Sequence, residues 1–236
     1  MKLKHLLVNI IGKLTGCYNY GKNNKVVFVN VDKEIKRFFM PKGLTIKMRG
    51  NNNLVIISKK QKFVNTTIDL EGDNGQFSVK YTLQKIKDAN FIVDTNCKIL
   101  IEQNCQLGNG NLMMLANKTY NEPARIVIGN NVFIARNALI RTSDGHTIID
   151  ATTKEPLNPT EDVIIEDNVW ITSNCTILKG TYIPKGCIVG ACSMVNKKFV
   201  EENCMIAGTP AKVIKHNITW DAKDYGSYAS SYYQKG

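Results

Sequence analysis

Residues 163–197 read VIIEDNVWITSNCTILKGTYIPKGCIVGACSMVNK and carry an aliphatic residue at every sixth position. The members of this series are Ile165, Ile171, Ile177, Ile183, Val189 and Val195. A period of six differs from the period of two in a β-strand and from the helical period of 3.6. It is typical of a β-solenoid in which three hexapeptides close a triangular coil of about 18 residues.

The same period occurs upstream, so the solenoid is predicted to extend beyond this segment. The upstream inward positions are predicted to be Ile128, Ile134, Ile140, Ile101, Leu107 and Met113, with Val93 and Ile99 as one more pair. Regular hexads therefore span residues 93–200.

The other positions of each hexad support this interpretation. Three residues after the aliphatic residue comes Asn or Gly, which best tolerate positive φ at a tight corner. These corner residues are Asn96, Asn104, Gly110, Asn131, Asn137, Asn168, Asn174, Gly180 and Gly186. Four residues after it comes a small or β-branched residue that is expected to point inward. These residues are Cys97, Cys105, Val132, Ala138, Val169, Cys175, Thr181, Cys187 and Ser193. An ordinary β-sandwich with accidental spacing is the alternative.

The predicted solenoid occupies residues 25–216. Its first part is looser than the rest, and Ile46, Ile68 and Ile92 are predicted to mark irregular first coils. Residues 1–24 are predicted to form an amphipathic helix and a turn, and residues 217–236 a polar, Tyr-rich tail.

Two loops interrupt the hexads, at residues 116–124 and 141–162. The longer loop contains two prolines and shows no periodicity. A long loop that leaves a rigid scaffold is usually functional.

The formal net charge of the chain is +11, which indicates an anionic partner such as a cofactor or a glycan. A lysine-rich surface without a specific partner is the alternative. We expect no nucleic-acid partner, because the sequence contains no nucleic-acid-binding motif. The apolar part of the N-terminal helix is too short to cross a bilayer, so membrane contact is expected to be peripheral at most.

Most of the seven cysteines fall at small inward positions, and none forms a CxxC pair. We therefore expect no zinc or other metal site. Because free thiols are typical of a reducing compartment, the chain is expected to be cytoplasmic.

One histidine lies in the long loop, within the segment Ser143-Asp144-Gly145-His146. Gly145 allows the backbone to bend, so the imidazole of His146 can be aimed along the edge of the solenoid. A neutral imidazole near pH 7 can take a proton from a hydroxyl group. A solvated loop histidine without a catalytic role is the alternative.

The Asp-Gly-His of the loop, the hexads of residues 163–197 and the closing segment IAGTPAKVIK together resemble the left-handed β-helix acyltransferases. These are hexapeptide O-acetyltransferases of the galactoside and maltose acetyltransferase kind. The resemblance is strongest to the enzymes that act on capsular polysaccharides and sialic-acid polymers, and it covers residues 93–216. It implies a left-handed parallel β-helix, acetyl-CoA as acyl donor, a sugar acceptor and a homotrimer with active sites between subunits.

The resemblance also assigns roles to individual residues. His146 would be the general base, and the indole N–H of Trp170 would position the acceptor or the thioester, with edge packing as the alternative for Trp170. The family often has two adjacent histidines in the loop; Gly145 replaces the first here, as in the capsular enzymes. The residues expected to bind acetyl-CoA are Ser173, Gly190, Ala191 and, as a basic set on one edge, Lys197, Lys212 and Lys215. The residues expected to contact the acceptor are Ser143, Asp144 and Asn117.

The implied reaction is direct acetyl transfer from acetyl-CoA to a sugar hydroxyl of a bacterial-type surface glycan. An acyl-enzyme on Ser143 is the mechanistic alternative. N-acetylation of an amino sugar, a nucleotide-sugar or an antibiotic is a second possible activity, and a non-catalytic glycan-binding solenoid is a third. The γ-class carbonic anhydrases share the solenoid but need three metal-binding histidines, which His5, His146 and His216 do not supply.

Overall fold

A computed structural model describes residues 2–30, 33–35, 40–118 and 122–233. Its elements, in chain order, are α1 (Lys2–Thr15), β1 (Cys17–Asn19), β2 (Lys25–Asn30), β3 (Lys33–Ile35), β4 (Leu44–Met48), β5 (Leu54–Ser58), β6 (Phe63–Leu70), β7 (Gln76–Val79), β8 (Ile86–Val93), β9 (Lys98–Ile101), β10 (Gln106–Leu107), β11 (Asn109–Ala116), β12 (Arg125–Ile128), β13 (Phe133–Ile134), β14 (Leu139–Arg141), β15 (Val163–Ile165), β16 (Trp170–Ile171), β17 (Thr176–Ile177), β18 (Tyr182–Ile183), β19 (Ile188–Val189), β20 (Met194–Val195), β21 (Met205–Gly208), β22 (Ala211–Lys215) and α2 (Tyr225–Tyr233).

The strands form three sheets that wind together as one solenoid. The first sheet has the order β1-β4-β6-β8-β11-β14-β17-β20, the second β18-β15-β12-β9-β7-β5-β2-β3, and the third β10-β13-β16-β19-β21-β22. Each regular coil passes from the second sheet to the third and then to the first. All strand pairs are parallel except β2 with β3 and β21 with β22.

The hexad positions behave as their chemistry predicts. All nine predicted corner residues have positive φ, from 56° to 125°. All nine predicted small inward residues are at most 2% exposed. The aliphatic columns stack in register, as in the pairing of Ile128 with Ile165 and of Ile140 with Ile177. Burial of one such side chain contributes about 1.5–3 kcal/mol, so the stacked columns are the main source of stability.

Two predicted inward positions are wrong by one residue. Met113 is 38% exposed, and Met114 is the buried residue that pairs with Ile140. The cause is a register shift between Asn109 and Leu112, which adds a residue before the column resumes. The second error is in the column predicted as Ile46, Ile68 and Ile92. Ile46 pairs with Ile68 as predicted, but Ile68 pairs with Phe91 and not with Ile92.

Val93 and Ile99 are both buried, as predicted, but they do not continue the six-residue column. They pair with Ala116 and Ile126, whereas the column runs through Ile101 and its partner Ile128. The longer coil at this point reflects the eight-residue strand β8.

The looser N-terminal region belongs to the same solenoid. Strands β4, β6 and β8 continue the first sheet, and β2, β5 and β7 continue the second. The turns between these strands take the place that the third sheet occupies in later coils. Phe77 and Phe91 fill this part of the core, with ring centroids 4.9 Å apart.

Helix α1 precedes the first coil, and four of its apolar side chains are 49–79% exposed: Leu7, Ile10, Ile11 and Leu14. No helix among the described residues is long and apolar enough to cross a membrane. Within the predicted polar, Tyr-rich tail, Tyr225–Tyr233 form helix α2. The segment before α2 contacts the solenoid of the same chain, because Trp220 Nε1 donates a hydrogen bond to Asn168 O at 2.7 Å. Residues 119–121 of the shorter loop and 234–236 of the tail lie outside the described residues.

Candidate active site

The loop that carries His146 leaves the solenoid between β14 and β15, at the edge that joins the first sheet to the second. His146 is exposed, and Gly145 has a φ of 86°, a left-handed conformation that favours glycine. Ser143 is 5% exposed, and its carbonyl oxygen accepts a hydrogen bond from Arg141 Nε. Asn117 lies at the same edge, where its backbone N–H donates to Thr142 Oγ1 at 2.9 Å.

Asn158 holds the two sides of this loop together. Its Nδ2 donates to His146 O and to Asp144 Oδ2, both at 2.8 Å, and its Oδ1 accepts from Ile148 N at 2.7 Å. The side chain is 9% exposed, so these bonds are largely shielded from water. Asn158 therefore fixes the backbone from which the imidazole projects.

Asp144 ties the loop to the next coil. Its carboxylate lies 2.8 Å from Lys179 Nζ, and the same ammonium group donates to Pro159 O at 2.9 Å. The hydrogen bond from Lys179, more than the one from Asn158, lowers the pKa of Asp144 below its usual value. The contribution of this pair to loop stability is therefore present above the ordinary pKa of aspartate and is lost as pH falls through the lowered value. Whether Asp144 also contacts the acceptor stays a prediction.

Replacing Asn158 with Ala is expected to lower kcat by about 10-fold or more, because misplacement of a catalytic group by about 1 Å can cost 10²-fold. The melting temperature should change little, since the coil core is untouched. Steady-state kinetics and thermal unfolding of the purified variant check this. Asn158→Asp, which keeps Oδ1 but loses the Nδ2 donor, should be similarly impaired; wild-type kcat in both variants would contradict a positioning role.

Trp170 lies on the third sheet within a cluster of three aromatic side chains. Its ring centroid is 6.4 Å from that of Phe133 and 5.9 Å from that of Trp220, and these two are 6.2 Å apart. Tilted rings at these distances attract each other, so the cluster orients the indole of Trp170. The cluster lines a cavity of about 270 Å³ that also includes Gln106 and residues 221–224.

The indole N–H of Trp170 is an unused donor. Among the described residues, Trp170 Nε1 is the one buried side-chain nitrogen or oxygen without a hydrogen-bond partner. A buried polar group without a partner costs about 1–3 kcal/mol, so its retention here favours a bond to a bound ligand.

Three residues predicted to bind acetyl-CoA lie together where the third sheet passes to the first. Ser173 and Ala191 occupy this corner in successive coils, and Cys192 N donates to Ser173 O at 3.1 Å. Gly190 is buried, and a Cβ added to it would lie 2.8 Å from Ala207 Cβ. Packing against Ala207 therefore explains this glycine within the chain, and its approach to acetyl-CoA stays a prediction.

The three lysines predicted to bind acetyl-CoA do not lie on one edge of the chain. Lys212 and Lys215 are on β22, at the end of the third sheet. Lys197 follows β20 of the first sheet, and the Nζ of Lys197 lies 5.2 Å from the Phe199 ring centroid. The next residue, Lys198, forms a β-bridge with Tyr182 of the second sheet. The expectation of a single basic edge is wrong, because the chain changes sheet between these residues.

His146 and Trp170 lie on opposite sides of one chain. The loop of His146 stands at the edge between the first and second sheets, and in a triangular coil that edge faces away from the third sheet. Lys179, which holds the loop, lies at the same edge between β17 and β18. A single chain therefore does not bring the predicted base and the predicted tryptophan together.

Asn158 and Lys179 were not identified from the sequence as residues that hold the His146 loop. The contact of Trp220 with Trp170 was not predicted either. The prolines on either side of Asn158, at positions 156 and 159, were the available signal of a fixed loop segment. No group of three His, Cys, Asp or Glu side chains suited to a metal ion occurs among the described residues.

Comparison with known proteins gives the chain its family. No protein-family model matches it. The chain is 36% identical over 180 residues to the polysialic acid O-acetyltransferase of Neisseria meningitidis, a match that covers 75% of this chain and 80% of that enzyme. It is 32% identical over 140 residues to the polysialic acid O-acetyltransferase of Escherichia coli O1:K1 / APEC, covering 59% of this chain and 43% of that protein.

Two solved structures resemble the chain over nearly its whole length. The polySia-specific acetyltransferase NeuO matches with a TM-score of 0.76 and 30% identity, covering 93% of this chain and 97% of that one. The polysialic acid O-acetyltransferase OatWY matches with a TM-score of 0.70 and 28% identity, covering 92% and 97%. These matches confirm the predicted left-handed parallel β-helix and the predicted acyltransferase class. The chain belongs to the hexapeptide-repeat O-acetyltransferase family that contains the polysialic acid O-acetyltransferases.

Proposed function

We propose that this protein transfers an acetyl group from acetyl-CoA to a hydroxyl group of a bacterial surface glycan, with His146 as the general base. The relatives that match most of the chain are polysialic acid O-acetyltransferases, which supports O-acetylation of a surface glycan. The observation that carries the residue assignment is the loop in which Asn158 and Lys179 hold an exposed His146 away from the core.

In the proposed reaction, His146 takes the proton from the acceptor hydroxyl as its oxygen attacks the thioester carbonyl carbon. The C–O bond forms, the negative charge collects on the carbonyl oxygen, and the C–S bond then breaks. The imidazolium returns its proton to the leaving CoA thiolate, so no acyl-enzyme is needed. The unused N–H of Trp170 is suited to donate to the carbonyl oxygen as its charge develops.

The proposed site is shared between subunits of a homotrimer. Because His146 and Trp170 lie on opposite sides of one chain, they can act together only when the loop of one subunit reaches the third sheet of another. Three subunits placed around an axis give three such sites by symmetry. The trimer is thus part of the proposed mechanism.

Acetyl-CoA is proposed to run along the corner that carries Ser173 and Ala191, which lies beside Trp170 on the same chain. The ammonium groups of Lys212 and Lys215, at the end of the same sheet, are proposed to meet its phosphates. Acetyl-CoA as donor and the seven free thiols support action in the cytoplasm.

The proposal is tested by release of CoA thiol when the purified protein is given acetyl-CoA and a panel of glycans. We expect release with at least one surface glycan, together with an alkali-labile O-acetyl ester on the recovered glycan. An amide product on an amino sugar, or no turnover with any glycan while acetyl-CoA binds, would contradict the proposal.

A further inference from the structure

A groove on the N-terminal coils concentrates positive charge. It encloses about 750 Å³ and is lined by five lysines: Lys42, Lys59, Lys60, Lys62 and Lys85. No described aspartate or glutamate lines it. We call this cavity the lysine groove.

Among the described residues, no carboxylate forms an ion pair with a lysine of the groove. The ion pairs among the described residues that involve lysine use Lys47, Lys80, Lys87 and Lys179 instead. Like charges that line one cavity repel each other, which has a free-energy cost when no anionic ligand is bound. An anion that spans several of these ammonium groups would remove that cost.

The two turns that carry four of these lysines are held by buried hydrogen bonds. Gln61, which is 3% exposed, accepts from Thr82 N at 2.9 Å and from Thr82 Oγ1 at 2.8 Å. Its Nε2 donates to Lys62 O at 2.9 Å. Thr82 is 2% exposed, so a polar staple joins neighbouring coils directly beneath the lysines. The groove is therefore a fixed surface and not a set of independent side chains.

The lysine groove lies in line with Trp170. Its turns, at residues 59–62 and 80–85, occupy the face that the third sheet forms in later coils, and β10, β13 and β16 follow on that face. Four coil steps separate the first turn from Trp170, which at about 4.8 Å per step is about 19 Å. A cavity of about 260 Å³ that includes Leu83, Phe133 and Trp220 lies between them.

We propose that the lysine groove binds an anionic stretch of the acceptor glycan while another sugar of the same polymer is acetylated near Trp170. This rests on the proposed function, and it makes the acceptor a polyanionic polymer several sugars long rather than a short precursor. The exposed ring of Tyr81 at the groove, 41% accessible, offers a surface on which a sugar ring can stack. Because the lysine groove is aligned with Trp170, a glycan is favoured over an anionic membrane or a nucleic acid as its ligand.

The test compares a groove variant with a variant of equal charge. The groove variant is Lys59→Gln, Lys60→Gln, Lys62→Gln and Lys85→Gln together, and the control is Lys13→Gln, Lys22→Gln, Lys25→Gln and Lys98→Gln together. Labelled polysialic acid of graded length and labelled heparin are titrated in fluorescence anisotropy without acetyl-CoA. We expect the groove variant to lose at least about 10-fold in affinity for long chains and to show a flatter salt dependence. The control should stay within about twofold of wild type.

Kinetics separate the groove from the reaction itself. For acceptors that wild type acetylates, the groove variant should raise KM for long chains, with kcat and the rate on the shortest acceptor unchanged. Equal losses in both four-site variants, equal losses for short and long acceptors, or wild type that binds neither polymer would overturn the proposal. So would anionic lipid vesicles or duplex DNA that bind through these lysines more tightly than either glycan. If wild type binds polymer through the groove but transfers no acetyl group, the proposed function is wrong, whereas the assignment of the groove as a polymer-binding site is not.

Discussion

His146→Ala is expected to lower kcat by about 10²- to 10⁴-fold, the usual contribution of a positioned general base. The imidazole projects from a loop that Asn158 and Lys179 hold in place, and His146 is exposed to solvent. The variant should therefore keep the melting temperature of wild type, and its affinity for acetyl-CoA should change little. Thiol release under saturating acetyl-CoA and acceptor measures the loss.

The matched control for this variant is His216→Ala. His216 is exposed, its Nδ1 lies 2.6 Å from Glu201 Oε1, and it is not among the residues proposed to contact acetyl-CoA or the acceptor. We expect its kcat to stay within about twofold of wild type, since surface substitutions away from a site have small effects. If His146→Ala retains more than about half of wild-type activity, His146 is not the base.

Trp170→Phe is expected to lower kcat by about 10²-fold, the low end of the cost of removing one oxyanion donor. Phenylalanine removes the unused indole N–H and keeps an aromatic ring next to Phe133 and Trp220. If the N–H acts mainly in the transition state, kcat and kcat/KM should fall together.

Two further measurements distinguish donation from edge packing at Trp170. Trp170→Ala should add a loss of thermal stability that Trp170→Phe does not share, because it also removes the ring contacts. Wild-type kinetics in Trp170→Phe with low stability in Trp170→Ala would mean that Trp170 serves only as packing.

The coil geometry could be predicted from the sequence because its determinants are local. An aliphatic residue, an Asn or Gly at positive φ and a small inward residue recur within six positions, and every predicted corner from Asn96 to Gly186 adopts positive φ. Met114 could not be predicted in the same way. Its inward position depends on a register shift against β8, and that shift belongs to the strand pairing rather than to the local sequence.

Only the local features of the site could be predicted from the sequence, as was the case for the coils. His146 stood out as the histidine of an aperiodic loop, but its support comes from Asn158, 12 residues away, and from Lys179, which bonds to Asp144 across the next coil. Trp220 reaches the site across 52 positions to Asn168. Contacts at such separations follow from tertiary packing, so no local pattern announces them.

The separation of His146 from Trp170 leads to the most direct test of a shared active site. His146→Ala chains keep Trp170, and Trp170→Ala chains keep His146. If each site takes its histidine from one subunit and its tryptophan from the next, mixed trimers contain some sites with both residues intact. Random assembly of equal amounts makes about one quarter of the sites complete.

The measurement is acetyl transfer by the two variants, alone and after joint unfolding and refolding as a 1:1 mixture. We predict that each variant alone is nearly inactive and that the mixture recovers about one quarter of wild-type activity. Each variant unfolded and refolded alone, at the same total concentration, controls for changes in activity caused by refolding. If the mixture is no more active than its components while mixed trimers are present, His146 and Trp170 do not act across a subunit interface, and the shared site is wrong.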